Sequence, residues 1–178
     1  MLDMDGVCCN WDSAALKTME REELIGHWTP GVKNLEALLG LPYDLIWKKI
    51  DAEGSKWWRN LKEYPWFWDF YNYLTIIGDV VFCTSPSYDS NSLKGKLEWL
   101  QDRFGRDFRN YIFTNKKYYA TCTNAILIDD NDTQCQNFVN NGGKAILFPQ
   151  PWNKLAQDKK ALENKVDYVR KKIDQLNS

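Results

Sequence analysis

The chain has 178 residues, of which 44% are hydrophobic and 26% are charged, with a formal net charge of -1. This composition is typical of a folded globular protein and excludes an intrinsically disordered chain. The near-neutral charge also argues against stable nucleic-acid binding, which needs clustered Lys and Arg side chains to neutralise phosphates.

The sequence indicates a cytoplasmic protein without a membrane-bound part. No apolar run approaches the length of a membrane span, and the first residues lack the pattern of a secretory signal. The five cysteines form no Cys-x-x-Cys pair. An odd number of cysteines suits reduced thiols in the cytosol better than a disulfide framework.

The first motif is an acidic loop close to the N-terminus, in which Asp3 and Asp5 precede Gly6. Two carboxylates this close suit an oxygen-ligated cation such as Mg²⁺, and they also suit a nucleophile and a general acid. Taken alone, the pattern fits a solvated acidic turn equally well. Only two residues precede Asp3, so we expect a very short first strand with few ladder hydrogen bonds.

Residues 11–74 show no strand pattern and are rich in tryptophan. Apolar residues recur in this segment at helical spacing, which predicts a small helical insert. The predicted helices span residues 16–25, 32–39, 43–50 and 66–74.

Strands and helices alternate after residue 75, which predicts a parallel sheet with helices on both faces. Helical patterns at 92–104 and 133–141 separate some of the predicted strands. A charged helix with one apolar stripe follows from about residue 154, and it packs on its own domain or forms a dimer contact. The predicted strands are four short apolar runs at residues 79–83, 111–114, 125–128 and 144–148.

Polar side chains follow three of these strands, at the sheet edge where parallel α/β proteins place their chemistry. Hydroxyl groups and a lysine can hold phosphate oxygens, whereas a second acidic pair would repel the first without a cation. Phosphoryl transfer needs these parts. They are Thr84 and Ser85, Lys116 and Lys117, and Asp129 and Asp130.

Four segments resemble the motifs of the haloacid dehalogenase (HAD) superfamily, and more narrowly those of its 5′(3′)-deoxyribonucleotidases. The segments are Asp-Met-Asp-Gly-Val, Cys-Thr-Ser-Pro, Thr-Asn-Lys-Lys and Leu-Ile-Asp-Asp. The resemblance runs from Leu2 to about Phe148 and is loose in the insert. It implies an α/β fold with a Rossmann-like parallel sheet core, residues 1–10 and 75–178. A helical cap, residues 11–74, would be inserted after the first strand.

The resemblance also implies a mechanism. Asp3 would be the nucleophile that becomes an aspartyl phosphate, and Asp5 would protonate the leaving oxygen. Mg²⁺ would be held by Asp3, by the backbone carbonyl of Asp5 and by Asp130. Asp129 would support this metal site.

The substrate implied by the resemblance is a small nucleotide. Trp11 and Trp28 correspond to aromatic positions of the family that contact the base, and stacking gives a physical reason for rings in a cleft. His27 would make a base or sugar contact. The residues that would hold the phosphate are Thr84, Ser85 and Lys117.

Other functions remain open on the sequence alone. A HAD phosphatase for sugar phosphates or for nucleic-acid 3′ ends would share the same core motifs. A phosphate-receiving signalling domain also combines acidic residues, a Thr or Ser and a Lys, although in another order and without the insert. A binding protein with a decayed site is the weakest alternative, because every catalytic side chain is present. The oligomeric state is open between a monomer and a homodimer.

Overall fold

The computed structural model describes residues 1–177, which form a mixed α/β structure with short parallel strands. The strands are β1 (Phe82–Thr84), β2 (Tyr111–Phe113), β3 (Ile126–Asp129) and β4 (Lys144–Leu147). The helices are α1 (Trp11–Thr18), α2 (Leu35–Leu39), α3 (Tyr43–Ala52), α4 (Ser55–Arg59), α5 (Phe67–Ile77), α6 (Ser90–Phe104), α7 (Asp132–Asn140), α8 (Lys159–Glu163) and α9 (Lys165–Asn177). Two short 3₁₀ turns span Glu22–Leu24 and Lys117–Ala120.

The N-terminal residues lie between two parallel strand pairs, β1 with β2 and β3 with β4. Leu2 forms parallel bridges to both Phe82 and Ile128. The backbone N–H of Leu2 donates to the Val81 carbonyl at 2.8 Å, and that of Asp3 donates to the Ile128 carbonyl at 2.9 Å. Parallel pairing therefore brings the carboxyl ends of β1, β3 and the N-terminal segment to one edge.

Each predicted strand is present with shifted ends, but two helix predictions are wrong. The predicted helix 16–25 is interrupted because Glu20 adopts a left-handed conformation with φ of 56°, which ends a right-handed helix. The single helix predicted from about residue 154 is instead the pair α8 and α9. Helix α8 begins only after Asp158, whose side chain accepts from the Ala161 N–H at 3.0 Å. Such a cap fixes the start of a helix.

Helices α4 and α6 pack so closely that a side chain at Gly95 has no room. A Cβ atom at Gly95 would lie 2.3 Å from the Ser55 carbonyl oxygen and 2.5 Å from Trp58 Cβ. One turn later, the buried Trp99 indole donates to the Leu61 carbonyl at 2.8 Å. These contacts attach the helical segment, residues 11–74, to α6.

We expect Gly95→Ala to lower the free energy of unfolding by about 1–3 kcal/mol, because the added methyl overpacks the α4–α6 contact. In an open helical position the same change would stabilise by roughly 0.5–1 kcal/mol, so the sign is diagnostic. Urea denaturation measures the difference. The control is Lys94→Ala at the exposed neighbouring position, and a Gly95→Ala variant as stable as the parent would contradict the close approach.

Candidate active site

One cavity of about 290 Å³ opens at the carboxyl edge of the strands. Its lining combines strand ends with residues of the helical segment. His27 is exposed and lies outside the lining, so its placement does not support the predicted base or sugar contact. Lys116, the neighbour of Lys117, is also exposed and outside the lining. The remaining predicted site residues line the cavity: Asp3, Asp5, Trp11, Trp28, Thr84, Ser85, Lys117, Asp129 and Asp130.

The acidic loop is held in a tight turn. The Met4 carbonyl accepts backbone N–H bonds from Cys8 and Cys9, each at 2.8 Å. Gly6 has φ of 75°, a conformation that favours glycine. A Cβ atom at Gly6 would lie 2.4 Å from Asp130 Oδ2. Glycine therefore allows the second acidic pair to approach the first.

The Lys117 ammonium joins two buried carboxylates. Its Nζ lies 2.6 Å from Asp3 Oδ1 and 2.6 Å from Asp129 Oδ2, and the lysine side chain is only 2% exposed. Burial lowers the pKa of Lys117, but the two carboxylates outweigh burial and raise that pKa overall. The lysine is therefore a fixed positive charge against the predicted nucleophile.

Asp5 faces a second buried lysine, Lys96, which the sequence analysis did not identify. The Lys96 ammonium donates to Asp5 Oδ2 at 2.5 Å, to Thr84 Oγ1 at 2.8 Å and to the Ser85 carbonyl at 3.1 Å. Burial raises the pKa of Asp5, and Asp3 adds to this, while Lys96 opposes it. Asp5 Oδ1 is buried and has no hydrogen-bond partner within residues 1–177.

Three carboxylates form a cluster that could hold a metal ion. Asp3, Asp129 and Asp130 each offer an oxygen, and these oxygens lie within 4.8 Å of one another. Burial raises the pKa of Asp130 well above its usual range, and repulsion from the other two carboxylates adds to the shift. A divalent cation would relieve this repulsion, and oxygen ligands suit Mg²⁺.

The two acids of the second pair have different partners. Asp129 Oδ1 accepts from the Asn131 N–H at 2.9 Å and Oδ2 accepts from Lys117, so both of its oxygens are engaged. The Asp130 carboxylate accepts one bond from residues 1–177, from the Trp152 indole N–H to Oδ2 at 2.5 Å. The difference favours Asp130 as the acid with a free oxygen.

Four tryptophan rings line the cavity and form its aromatic wall. Trp11 lies 6.0 Å from Trp47, and Trp28 lies 5.0 Å from Trp152, between ring centroids. Trp47 and Trp152 are additions to the predicted set. The other tryptophans of the helical segment lie outside the cavity lining; they are Trp57, Trp58, Trp66 and Trp68.

The acidic loop is supported from behind by the C-terminal part of the chain. The Gln150 amide donates to the Gly6 carbonyl, and Lys165 at the start of α9 donates to Gln150 Oε1 at 2.5 Å. The Trp66 indole donates to the Val7 carbonyl at 2.9 Å. Two successive carbonyls of the loop are therefore held by side chains from distant parts of the sequence.

The model of one protein family matches residues 1–173, nearly the whole chain. Its description is 5′ nucleotidase, deoxy (Pyrimidine), cytosolic type C protein. The chain belongs to this family. Membership confirms the resemblance to the HAD superfamily and its 5′(3′)-deoxyribonucleotidases, and it makes a HAD-type phosphatase of the nucleotidase class the function of the family. A search of curated proteins finds no match.

Family membership also bears on the alternatives. It argues against the phosphate-receiving signalling domain, which belongs to another class of protein. The family description names a cytosolic type. Within the described chain, no helix has the length and apolar character required to cross a membrane.

Sequence reasoning missed Lys96 and Trp152 of this nucleotidase. The sequence contains a signal for Lys96 but none for Trp152. Lys96 lies on the buried stripe of α6, between Ser92 and Trp99. A charged residue on such a stripe requires a partner, and this signal could have found it. Trp152 lies in a turn after β4, where no periodicity indicates its direction.

We expect the stability of the nucleotidase to rise between pH 8 and pH 10.5 through Lys165. Burial lowers the pKa of Lys165 from 10.5 to about 8, although Asp12 and Asp130 oppose the shift. In this window the unfolded chain binds more protons than the folded protein, so the free energy of unfolding increases with pH.

Lys165→Met should remove about 1–2 kcal/mol of that increase, allowing for partial exposure of the ammonium. Urea denaturation of both proteins at the two ends of the window measures it. Lys160→Met, at an exposed position on α8, is the control. An unchanged pH dependence in Lys165→Met would contradict the assignment.

Proposed function

We propose that this chain is a magnesium-dependent phosphomonoesterase that removes phosphate from (deoxy)nucleoside monophosphates through an aspartyl phosphate on Asp3. The proposal is supported chiefly by one observation. The acidic loop, the Thr84–Ser85 turn and Lys117 share a single cavity with the aromatic wall. Phosphate-directed groups and rings suited to a base are thus within reach of one small molecule.

The first half of the reaction needs a nucleophile and an acid. A carboxylate oxygen of Asp3 would attack phosphorus, and the bond from phosphorus to the ester oxygen would break. Asp5 would give its proton to the leaving alkoxide. Its raised pKa and its unpartnered Oδ1 suit this role, because a general acid must hold its proton until the transition state.

The second half releases phosphate. Water would attack the phosphorus of the aspartyl phosphate, Asp5 would accept the proton of that water, and the bond from phosphorus to Asp3 would break. Lys117 binds Asp3 Oδ1 and holds the carboxylate in one orientation throughout. Orientation of this kind accounts for a large part of enzymatic rate enhancement.

The phosphate group would be bound by the Thr84 hydroxyl, the Ser85 hydroxyl and the Lys117 ammonium. Lys96 donates to Thr84 and Asp5, and we propose that it fixes both relative to the phosphate. These donors offset the charge that develops on phosphoryl oxygens.

The metal site would consist of Asp3, the Asp5 carbonyl and Asp130, with Asp129 in support. The cation would neutralise phosphate charge and the repulsion between the clustered carboxylates. The free oxygen of Asp130 and the engaged oxygens of Asp129 support this division of roles.

The helical segment would act as a cap. We propose that residues 11–74 close over a core of residues 1–10 and 75–178, and that Trp11 and Trp28 contact the base. The cavity volume of about 290 Å³ suits a mononucleotide better than a polynucleotide end. The protein would act as a monomer or homodimer on small nucleotides in the cytoplasm.

Phosphate release from a substrate panel tests the proposed chemistry. The panel contains deoxy- and ribonucleoside monophosphates, sugar phosphates and a 3′-phosphorylated oligonucleotide, each with Mg²⁺ and with EDTA. We expect Mg²⁺-dependent release that favours nucleoside monophosphates. We expect Asp3→Asn to lose at least roughly 10³-fold of this activity, because the covalent step requires the carboxylate.

The control for the nucleophile is Asp107→Asn, at an exposed acid remote from the cavity lining. Circular dichroism checks that both variants fold. Normal activity of Asp3→Asn would exclude Asp3 as the nucleophile, and release mainly from sugar phosphates would retain the mechanism but reject the substrate.

We expect Trp11→Ala to raise KM for a deoxynucleoside monophosphate about tenfold, since base stacking contributes about 1–3 kcal/mol. The same variant should leave KM for deoxyribose 5-phosphate nearly unchanged, because that substrate has no base. Trp68→Ala, at a residue that is 43% exposed and outside the cavity lining, is the matched control. Equal effects of Trp11→Ala on both substrates would assign Trp11 a structural role only.

A further inference from the structure

Trp152 joins the helical segment to the acidic cluster. Its indole N–H donates to Asp130 Oδ2 at 2.5 Å, and its ring lies 5.0 Å from the Trp28 ring between centroids. In the adjoining turn, the Gly31 N–H donates to the Pro151 carbonyl at 2.8 Å. The turn after β4 thus contacts both the helical segment and the predicted metal ligand.

Further contacts, besides this hydrogen bond, restrict the movement of Asp130. Its carboxylate lies against Gly6, where a Cβ atom would also meet Trp152 Cζ2 at 3.1 Å. The Asn153 side-chain amide donates to the Asp130 carbonyl at 2.9 Å and fixes the backbone. With the backbone held, the indole N–H sets the rotation of the carboxylate. Its second oxygen, Oδ1, accepts no hydrogen bond from residues 1–177.

We propose that Trp152 is a positioning residue that orients Asp130 for the metal ion and couples this orientation to the seating of the helical segment through Trp28. The inference rests on the proposed function, in which Asp130 is a metal ligand. Hydrogen bonds to ligating carboxylates fix their orientation, and loss of such a partner typically costs about 10- to 100-fold in metal affinity.

The coupling has a direction that follows from the contacts. Trp28 lies in the loop between α1 and α2 and is itself oriented by its indole N–H, which donates to the Val32 carbonyl at 2.6 Å. If this loop moves away from the turn after β4, Trp152 loses its ring contact on one side. Asp130 then loses its fixed orientation. Metal affinity is therefore highest when the helical segment contacts the turn after β4.

The closing experiment measures Mg²⁺ binding by calorimetry without any substrate, together with the shift of Tm that Mg²⁺ produces. Trp152→Phe keeps an aromatic ring but removes the N–H donor, and we expect it to bind Mg²⁺ about 10- to 100-fold more weakly. Trp152→His restores an N–H donor and should recover part of the affinity. Trp28→Leu keeps the donor and should weaken binding by less than Trp152→Phe.

The matched control is Trp57→Phe, which removes an indole N–H bonded to Thr18 Oγ1 at 2.9 Å, away from the cavity. It should bind Mg²⁺ as the parent does.

Equal Mg²⁺ affinity of the parent and Trp152→Phe would overturn the inference while leaving the proposed function intact. Absence of Mg²⁺ binding by the parent would instead reject the proposed metal site and the inference with it. If Trp152→Phe does not fold, Trp28→Leu carries the test, because it leaves the Trp152 donor in place and removes only the ring contact. Weaker Mg²⁺ binding by Trp28→Leu than by Trp57→Phe supports the coupling, and equal binding overturns it.

Discussion

The arrangement of the site depends on one buried ammonium, that of Lys117. It lies between Asp3, which follows the bridged Leu2, and Asp129, which ends β3. Without it, two buried carboxylates would repel each other and favour their protonated forms. Desolvation offsets most of the attraction in a buried ion pair, so such a pair contributes little net stability. We therefore attribute to Lys117 the geometry of the site rather than the stability of the fold.

Much of the site was predictable because parallel strands bring their carboxyl ends to one edge. The proximity of Asp3, Thr84 and Asp129 follows from the order of apolar runs along the chain. Lys96 was harder to predict, because its direction is determined only when α6 packs on α4. Trp152 follows a proline in a turn, where the sequence contains no periodic signal at all.

Among the aromatic residues, sequence reasoning identified a group but not the role of each ring. Helical spacing indicates that a ring lies on the apolar face of its helix. Whether the ring also contacts the cavity depends on how the helices pack. Trp47 lines the cavity and the neighbouring Trp58 does not, although their rings stack at 6.4 Å. The prediction of helix ends was limited as well. The left-handed conformation of Glu20, which ends a helix, has no sequence signal of the kind that a glycine gives.

The support of the acidic loop by Gln150 and Lys165 has a consequence for biosynthesis. The loop is translated well before Gln150, which holds its Gly6 carbonyl, and before Lys165, which holds Gln150. A nascent chain therefore contains the acidic loop before α9 can pack behind it. We expect the loop to gain this support only after α9 has left the exit tunnel of the ribosome.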